Sequence, residues 1–530
     1  MKKIILILAT LLTVTLVVAG CGTEATTSVT PSATQTPTAT PSPTIPEGPQ
    51  SGGVMRIIDI EFISSPIGYL PEVTYNAYPF TLPCIESFFN FDNEGNLVPY
   101  LATSWEFTSD YKSLTFHLRE GVKFHDGTDF DAAAAKWNMD LMLNKPAPEA
   151  NAWNSVEVVD KYTVRINLKG YDSLILYNIP SLTKCVSPTA FEQNGIDWAR
   201  YNPVGTGPFK LKEFRRDQSI EFERFDDYWG GKPYLDGVKF IYIKDRTTAE
   251  LALQGGEADG LHIMGGAHLA AYSLGPKGFQ IILPPSFFGT LYFDTKSPDS
   301  YYADKRVREA IEYAIDRTKI AQTCGFGFWF PLYQCAAPVE NGYIEGFKGR
   351  EYDPEKAKQL LEEAGLSNGF RTTIYVPSHL SGDHMVAIQA NLNAIKIDAT
   401  IEVITSARWM ELQYGPGGFT DILYSPSGAS DVDSTSPLNR AYGPTANVRL
   451  SNLPPPGMKD LVVQMLAEPD PAERAEMAKQ ATQMVFDDCS KIALWNQPAL
   501  YAFNSKVHDT GITEWYLPFQ LNWTKVWMSE

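Results

Sequence analysis

Positive charge is in short supply in this 530-residue chain: 44 Lys and Arg stand against 62 Asp and Glu, a formal net charge of −18. That balance argues against nucleic acid or an anionic lipid surface as a partner of the folded part, because both are bound through clustered Lys and Arg. Cysteine is scarce as well, six in all, with no CxxC pair among them, so neither a zinc ribbon nor a thioredoxin-type motif is present. Histidine occurs seven times. His262 and His268 in "LHIMGGAH" flank Met264, and His379 and His384 lie in "SHLSGDH"; neither spacing puts two ligands on one face of a helix or hairpin. HExxH is absent, which removes the common zinc-hydrolase arrangement, and no pair of catalytic carboxylates can be picked out by spacing. Beyond residue 20 no apolar run approaches the ~20 residues of a membrane-spanning helix. Nothing in the sequence asks for a cofactor or a metal.

What is present begins at the N-terminus. Lys2 and Lys3 precede an apolar run over residues 4–19, broken only by Thr10, Thr13 and Thr15, and the run ends "LVVAGC" with Ala19 and Gly20 before Cys21. The length fits the core of a secretory signal peptide rather than a membrane span. Small residues ahead of a cysteine make residues 1–20 resemble a lipoprotein signal, which implies a mature chain starting at a diacylated Cys21; more than one acyl chain gives a lasting anchor. The next stretch, within residues 21–52, is Thr, Ser and Pro with almost no large apolar side chain. It cannot bury enough surface to offset the entropy of ordering, so it reads as an extended, disordered tether.

The body from residue 53 onward is long enough for more than one domain. Period-two apolarity in "SLTFHLRE", "KYTVRINL", "SIEFERF" and "GVKFIYI" predicts half-buried strands. Val307, Ile311, Ala314 and Ile315 line one face of "DKRVREAIEYAIDRTKI" at helical spacing. "DPEKAKQLLEEAG" opens with Asp353 as cap and Pro354 in the first turn, and Gly365 ends it; "DPAERAEMAKQATQMVF" repeats the Asp-Pro start at Asp470 and Pro471, with Glu473 placed for a capping box. Strands and helices alternate without a fixed-period repeat, which predicts a mixed α/β (α+β) protein. Cys324 and Cys335 flank "GFGFWFPLYQ", a loop that a disulfide could close; equally, the five cysteines of the body could all be small buried residues.

The segment "YNPVGTGPFKLKEF", residues 201–214, has the glycines of a phosphate loop but not its chemistry. "GTGPFK" has Pro208 after the second Gly, no Ser or Thr after Lys210, and a strand pattern behind it; Lys210 also fills the third glycine position of the dinucleotide fingerprint. A tight turn feeding a strand is the better reading, with Gly205 and Gly207 supplying unusual backbone angles and Pro203 and Pro208 stiffening them. Together with "DYWGGKPYLDGVKF" this segment resembles the central signature of family 5 extracellular solute-binding proteins, the peptide- and nickel-binding type that serve ABC importers. "LVPYLATSWEFTSDYKSLTFHLREGVKFHDGTDF", "TTAELALQGGEADG", "LYFDTKSPDSYYADKRVREAIEYAIDR" and "YDPEKAKQLLEEAG" resemble further signatures of the family, in the family's order.

The resemblance implies a periplasmic-binding-protein-like fold of type II, with two lobes joined by two strands and an extra inserted subdomain. Carried over, lobe I is residues 53–91, 204–294 and 505–530, the insert is 92–203 and lobe II is 295–504, with "TLYFDT" and "LYAFNS" as the crossing strands. Ligand is then expected at loops facing the cleft. "SSPIGYLPE" offers Tyr69, and "PPSFFGT" offers Phe287 and Phe288 as aromatic walls. "SARWMELQY" offers Arg408 for a carboxylate and Trp409 for stacking. "DILYSPSGASDVDSTSP" offers Tyr424, Ser427, Asp431 and Asp433, where peptide-binding relatives place an Asp that pairs with the peptide amino terminus; if that position falls on Ser427 or Gly428, free-amine recognition is lost. A calcium loop at "DVDST" fails, since Ser436 and Tyr442 stand where Gly and Glu are needed. "LWNQPALY" adds Trp495 and Asn496. The implied function is a monomeric, lipid-anchored, extracytoplasmic receptor that passes a small solute, first of all an oligopeptide, to ABC permease subunits. A metal chelate, a glycan or another polar solute, a sensory role without transport, and a secreted hydrolase are the competing expectations.

Overall fold

Alternation of apolar residues becomes three larger sheets and two two-stranded ones among the described residues of the computed structural model. It describes residues 48–61, 63, 65–74, 77–144, 150–264, 266–380, 382–428, 433–444, 446–512 and 520–530, without the side chains of residues 285, 379 and 427, and these belong to one compact unit, Glu47–Glu530. Signal, lipid site and the tether up to residue 47 lie outside the described residues.

The first sheet has seven strands in the order Gln280–Ile282, Leu500–Phe503, Gly260–Ile263, Val54–Asp59, Gly237–Tyr242, Ser219–Arg224 and Phe209–Arg215. Val54–Asp59 runs parallel to both of its neighbours, and the helix Arg246–Gln254 supplies the crossover that parallel strands require. Met55, Ile57, Phe209, Phe222 and Phe503 fill one of its cores. The second sheet has six strands: Phe330–Pro331, Lys491–Pro498, Pro285–Phe293, Ile422–Gly428, Phe370–Pro377 and Ile397–Ile404. Its core holds Leu291, Phe293, Ile311, Ile374 and Trp495. A four-stranded antiparallel sheet, Ala102–Phe107, Ser113–Leu118, Thr163–Leu168 and Trp153–Asp160, carries a third core around Phe116, Phe124 and Val164.

Helix ends follow the capping chemistry of the sequence. Asp353 accepts from Lys356 N at the start of Pro354–Glu363, whose Ala357, Leu360 and Leu361 are buried, and Asp470 accepts from Ala472 N and Glu473 N at the start of Pro471–Asp488. The apolar stripe of "DKRVREAIEYAIDRTKI" is buried as expected but spans two helices. Lys305–Ala314 stops at the extended Ile315, and Asp316 caps Arg317–Cys324 through Lys319 N.

The chain passes between the two large sheets at residues 283–284 and again at Ala499. The two passages touch, Ala499 N donating to Pro284 O at 3.0 Å. "TLYFDT" therefore pairs within the second sheet and "LYAF" within the first, and the changeover lies just before each of them.

The "GTG" turn also has a different physical basis from the one its composition suggests. Neither Gly205 nor Gly207 has a positive φ. What glycine supplies is closeness: a Cβ on Gly205 would stand 1.9 Å from the Cys84 carbonyl oxygen, and one on Gly207 2.7 Å from that of Pro83. Gly207 N donates to Cys84 O and Phe209 N to Pro83 O, both at 3.0 Å, so the turn is laced directly onto residues 83–85.

Candidate functional site

That lacing delivers Thr206 to Glu86, which lines a cavity of about 950 Å³; the other lining residues come on one side from the 78–100, 151–184 and 520–523 segments and on the other from residues between Phe288 and Lys491. The rims of the two sides meet: Ser173 N donates to Leu466 O at 2.8 Å. The volume is at the upper end of small-ligand sites.

On the first wall the central group is Glu86, only 4% exposed. One carboxylate oxygen accepts from Thr206 Oγ1 (2.7 Å) and Trp229 Nε1 (2.8 Å), the other from Tyr228 OH (2.6 Å). Arg119 lies over the Trp229 ring, 4.2 Å from its centroid. Burial pushes the Glu86 carboxyl up to about 7, against the opposing pull of the Trp229, Tyr228 and Thr206 hydrogen bonds and of Arg119. Asp172 also lines this wall; burial raises its pKa, the Leu174 N–H pulls it down, and Asp433 across the rim raises it. Lys184 sits with its ammonium 4.0 Å from the Tyr78 ring and donates to Pro180 O.

The opposite wall is basic and aromatic. Phe288, Tyr292, Arg440, Arg449 and Lys491 line it, with Glu340 at its edge. The Arg449 guanidinium lies 4.3 Å from the Tyr292 ring centroid and donates from Nη2 to Ser425 Oγ (3.0 Å) and Pro426 O (3.3 Å). Lys491 Nζ is 5.8 Å from the Tyr292 ring and 5.8 Å from that of Tyr442. Glu340 is held by Ala337 N (3.2 Å) and Ser434 Oγ (3.3 Å). A cavity with Glu86, Asp172 and Lys184 on one side and Arg440, Arg449, Lys491 and Glu340 on the other can bind and orient a polar solute.

The described residues present no hydrolase arrangement here. Against the expectation that the sequence holds no GxSxG, "GLSNG" at residues 365–369 has that spacing, but it follows the helix Pro354–Glu363 and precedes the strand Phe370–Pro377. That is the reverse of the strand–turn–helix that exposes a nucleophilic serine.

The sequence profile described as "Bacterial extracellular solute-binding proteins, family 5 Middle" matches residues 96–448. The chain belongs to this family. The glutathione-binding protein GsiB of Escherichia coli (strain K12) is 28% identical over 460 residues, spanning 82% of this chain and 86% of the relative. Among solved structures, the ABC transporter-associated periplasmic binding protein DppA from Helicobacter pylori, in complex with the peptide STSA, is 26% identical with a TM-score of 0.76. That match covers 91% of this chain and 99% of DppA. The binding protein AgaA from A. tumefaciens R10, in complex with agropinic acid, is 26% identical with a TM-score of 0.74, covering 90% and 99%. The fold is thus the two-lobed, type II binding-protein fold, and this family 5 protein is an extracellular solute-binding component of the ABC-importer type, not an enzyme.

The solute-binding protein distributes the expected cleft residues unevenly. Phe288 lines the cavity and is buried with Leu332, Ala337 and Ala493. Phe287 beside it is half-buried and outside the lining. Tyr69 stacks on Phe191, ring centroids 5.9 Å apart. Arg408 is exposed and paired with Glu411 at 2.7 Å, and Trp409 packs against the cluster of Tyr292, Ile404, Leu412, Phe419 and Leu423. Tyr424 and Trp495 are buried in the core of the second sheet, Trp495 stacked on Trp329 at 5.4 Å. Asn496 is buried in the strand ladder between Phe288 and Phe330. None of these is among the lining residues except Phe288. Asp433 is buried and already engaged, accepting from Thr435 N and Asn341 Nδ2 and pairing with Arg474 at 3.4 Å. The Ser427 side chain and Asp431 lie outside the described residues.

Cys324 and Cys335 are both free thiols, so the loop between them is not closed by a bridge. Cys324 ends the helix Arg317–Cys324, whereas Cys335 lines the cavity with its sulfur 4.0 Å from the Lys491 carbonyl. His262 is buried with Nδ1 2.7 Å from Asp59 Oδ2 and Tyr501 stacked on it, and His268 faces Trp329 at 4.6 Å. Glu86, Asp172, Lys184, Arg449 and Lys491 were not among the expected site residues. Two carry a legible signal, a lone charge in an apolar run: Glu86 in "PCIESFF" and Lys491 in "SKIALW".

Proposed function

We propose that this protein is the membrane-tethered receptor of an importer, held by acyl chains on Cys21 and a Thr/Ser/Pro-rich tether, that encloses a short peptide between its lobes and hands it to ABC permease subunits as a single copy. The first lobe takes residues 53–91, 204–283 and 500–530, with 92–203 as its insert, and the second takes 285–498; the boundaries expected at 294 and 504 move to the two passages between the sheets. The observation that carries the reading is the cavity of about 950 Å³ with both charge signs on its walls. Such a chamber suits a zwitterion of a few residues. DppA, named with the peptide STSA, and GsiB, named for glutathione, support a peptide or peptide-like solute. Closure around the solute is the hinge transition expected of two-lobed receptors, and it selects solutes that favour the closed state.

The test is a thermal-shift series with the tetrapeptide Ser-Thr-Ser-Ala, glutathione, agropinic acid and a nickel chelate. Ligand that binds only the folded chain at about 100 times its Kd adds roughly 2.7 kcal/mol, so the peptide or glutathione is expected to raise Tm by several degrees. A rise with the nickel chelate alone would replace the peptide reading with a chelate receptor. Cys21→Ala should move the protein from the membrane fraction to the soluble extracytoplasmic fraction; a variant that stays with the membrane contradicts the lipid anchor.

A further inference from the structure

Basic residues in the lobe built on the second sheet are otherwise neutralised where they are buried. Arg308 pairs with Asp488, Arg317 with Glu312, and Arg350 with Glu309 and Glu312. Arg449 and Lys491, both half-buried, are not neutralised in this way. Both line the cavity, both lie against the Tyr292 ring, and neither takes part in an ion pair among the described residues. Two like charges beside one ring repel each other, and their partial burial strengthens the repulsion. The ring faces offset part of it; a counter-ion would remove the rest.

The arrangement is also held in place. Two acceptors, Ser425 Oγ and Pro426 O, fix Arg449 Nη2, while its buried Nε has no hydrogen-bond partner. The Arg449 backbone sits at φ +53°, unusual for a residue other than glycine, with its N–H on Gln413 O at 2.6 Å. A strained, tethered guanidinium beside an ammonium that has no carboxylate partner among the described residues is an anion seat, and the facing wall carries Glu86 and Asp172.

We propose that Arg449 and Lys491, with Tyr292 between them, form the subsite that receives a carboxylate of the captured solute, so that the receptor selects solutes with an acidic end. This rests on the cavity being the solute site. It differs from the amine-recognising Asp expected from the sequence, since it places the selective charge on the cationic wall.

The experiment measures Tm and Kd for the wild type, Lys491→Met, Arg449→Met and the remote control Arg408→Met. The probes are succinate and the tetrapeptide Ser-Thr-Ser-Ala as its free acid and as its C-terminal amide. Succinate is expected to raise Tm in the wild type and in Arg408→Met and to have no effect in Lys491→Met. The free-acid peptide should bind the wild type about 30-fold or more tightly than the amide, the size expected for a desolvated charge contact, and that preference should fall to a few-fold in Lys491→Met. If Arg449→Met does not fold, Lys491→Met decides alone. An equal succinate shift in wild type and Lys491→Met, or none in the wild type, overturns the subsite. Succinate binding that depends on Lys491, with neither peptide bound, keeps the subsite and removes the peptide reading.

Discussion

Gly205→Ala lowers the stability of the folded protein by about 3 kcal/mol or more, the scale of a severe overpacking change. The new methyl carbon would stand 1.9 Å from the Cys84 carbonyl oxygen, a backbone atom that cannot rotate aside. Relief requires residues 204–209 to lift from residues 83–85, and that strains several bonds at once. Gly207 N to Cys84 O and Phe209 N to Pro83 O are the direct laces; His125 N donates to Gly205 O and Ser187 N to Val204 O. Thr206 would leave Glu86 in the same movement, so weakened solute binding should accompany the loss of stability. Gly170→Ala is the matched control: nothing lies within 4 Å of a Cβ there and its φ is not positive, so a change within about 0.5 kcal/mol is expected. Thermal or urea midpoints for the two variants decide the matter, and equal midpoints would remove the close-approach explanation of the turn.

Glu86→Gln is expected to change how stability depends on pH. The carboxyl titrates near 4.5 in an unfolded chain and at about 7 in the folded one, because burial disfavours its charge. Between these values the folded protein holds a proton that the unfolded chain has released. The group's contribution is therefore complete below about pH 4.5 and is lost as pH rises through about 7. A displacement from 4.5 to about 7 corresponds to roughly 3 kcal/mol. Glutamine keeps the shape without the charge: its carbonyl can accept from Thr206 and Trp229, and the Tyr228 hydroxyl can turn to accept from its amide. The variant should match the wild type near pH 5 and exceed it by up to about 3 kcal/mol at pH 8. Denaturation midpoints across pH 5–8 measure this, and parallel wild-type and variant profiles would mean that the folded state accommodates the ionised Glu86 without cost. Solute affinity gives a second readout. A cationic group on the solute should bind the wild type more tightly above pH 7, when Glu86 is ionised, and this increase should vanish in the glutamine variant.

The secondary structure was legible where one local rule governs it. Asp-Pro starts at 353–354 and 470–471 cap helices because a carboxylate satisfies the free N–H groups and proline already has the required φ. Period-two runs such as Thr163–Leu168 became strands with alternate residues buried. The break at Ile315 and Asp316 was less visible, since the apolar stripe runs through both helices and only the second cap separates them. The site was harder to read. Tyr424, Trp495 and Trp409 have the aromatic character of a cleft wall, but core and cleft draw on the same residue types, and here these side chains went to the core clusters.

By itself the sequence determined the elements, their caps and the family signatures from 96 to 448, because these depend on neighbours a few residues apart. Only the tertiary structure decided that Glu86 and Lys491, some four hundred residues apart, face one chamber, that the glycines at 205 and 207 serve closeness and not unusual angles, and that Asp433 is occupied by Arg474 while Arg449 and Lys491 have no carboxylate partner among the described residues. The reason is physical: whether a charge is neutralised or available, and whether a Cβ has room, depends on which distant backbone and side chains are brought against it, and no local pattern records that.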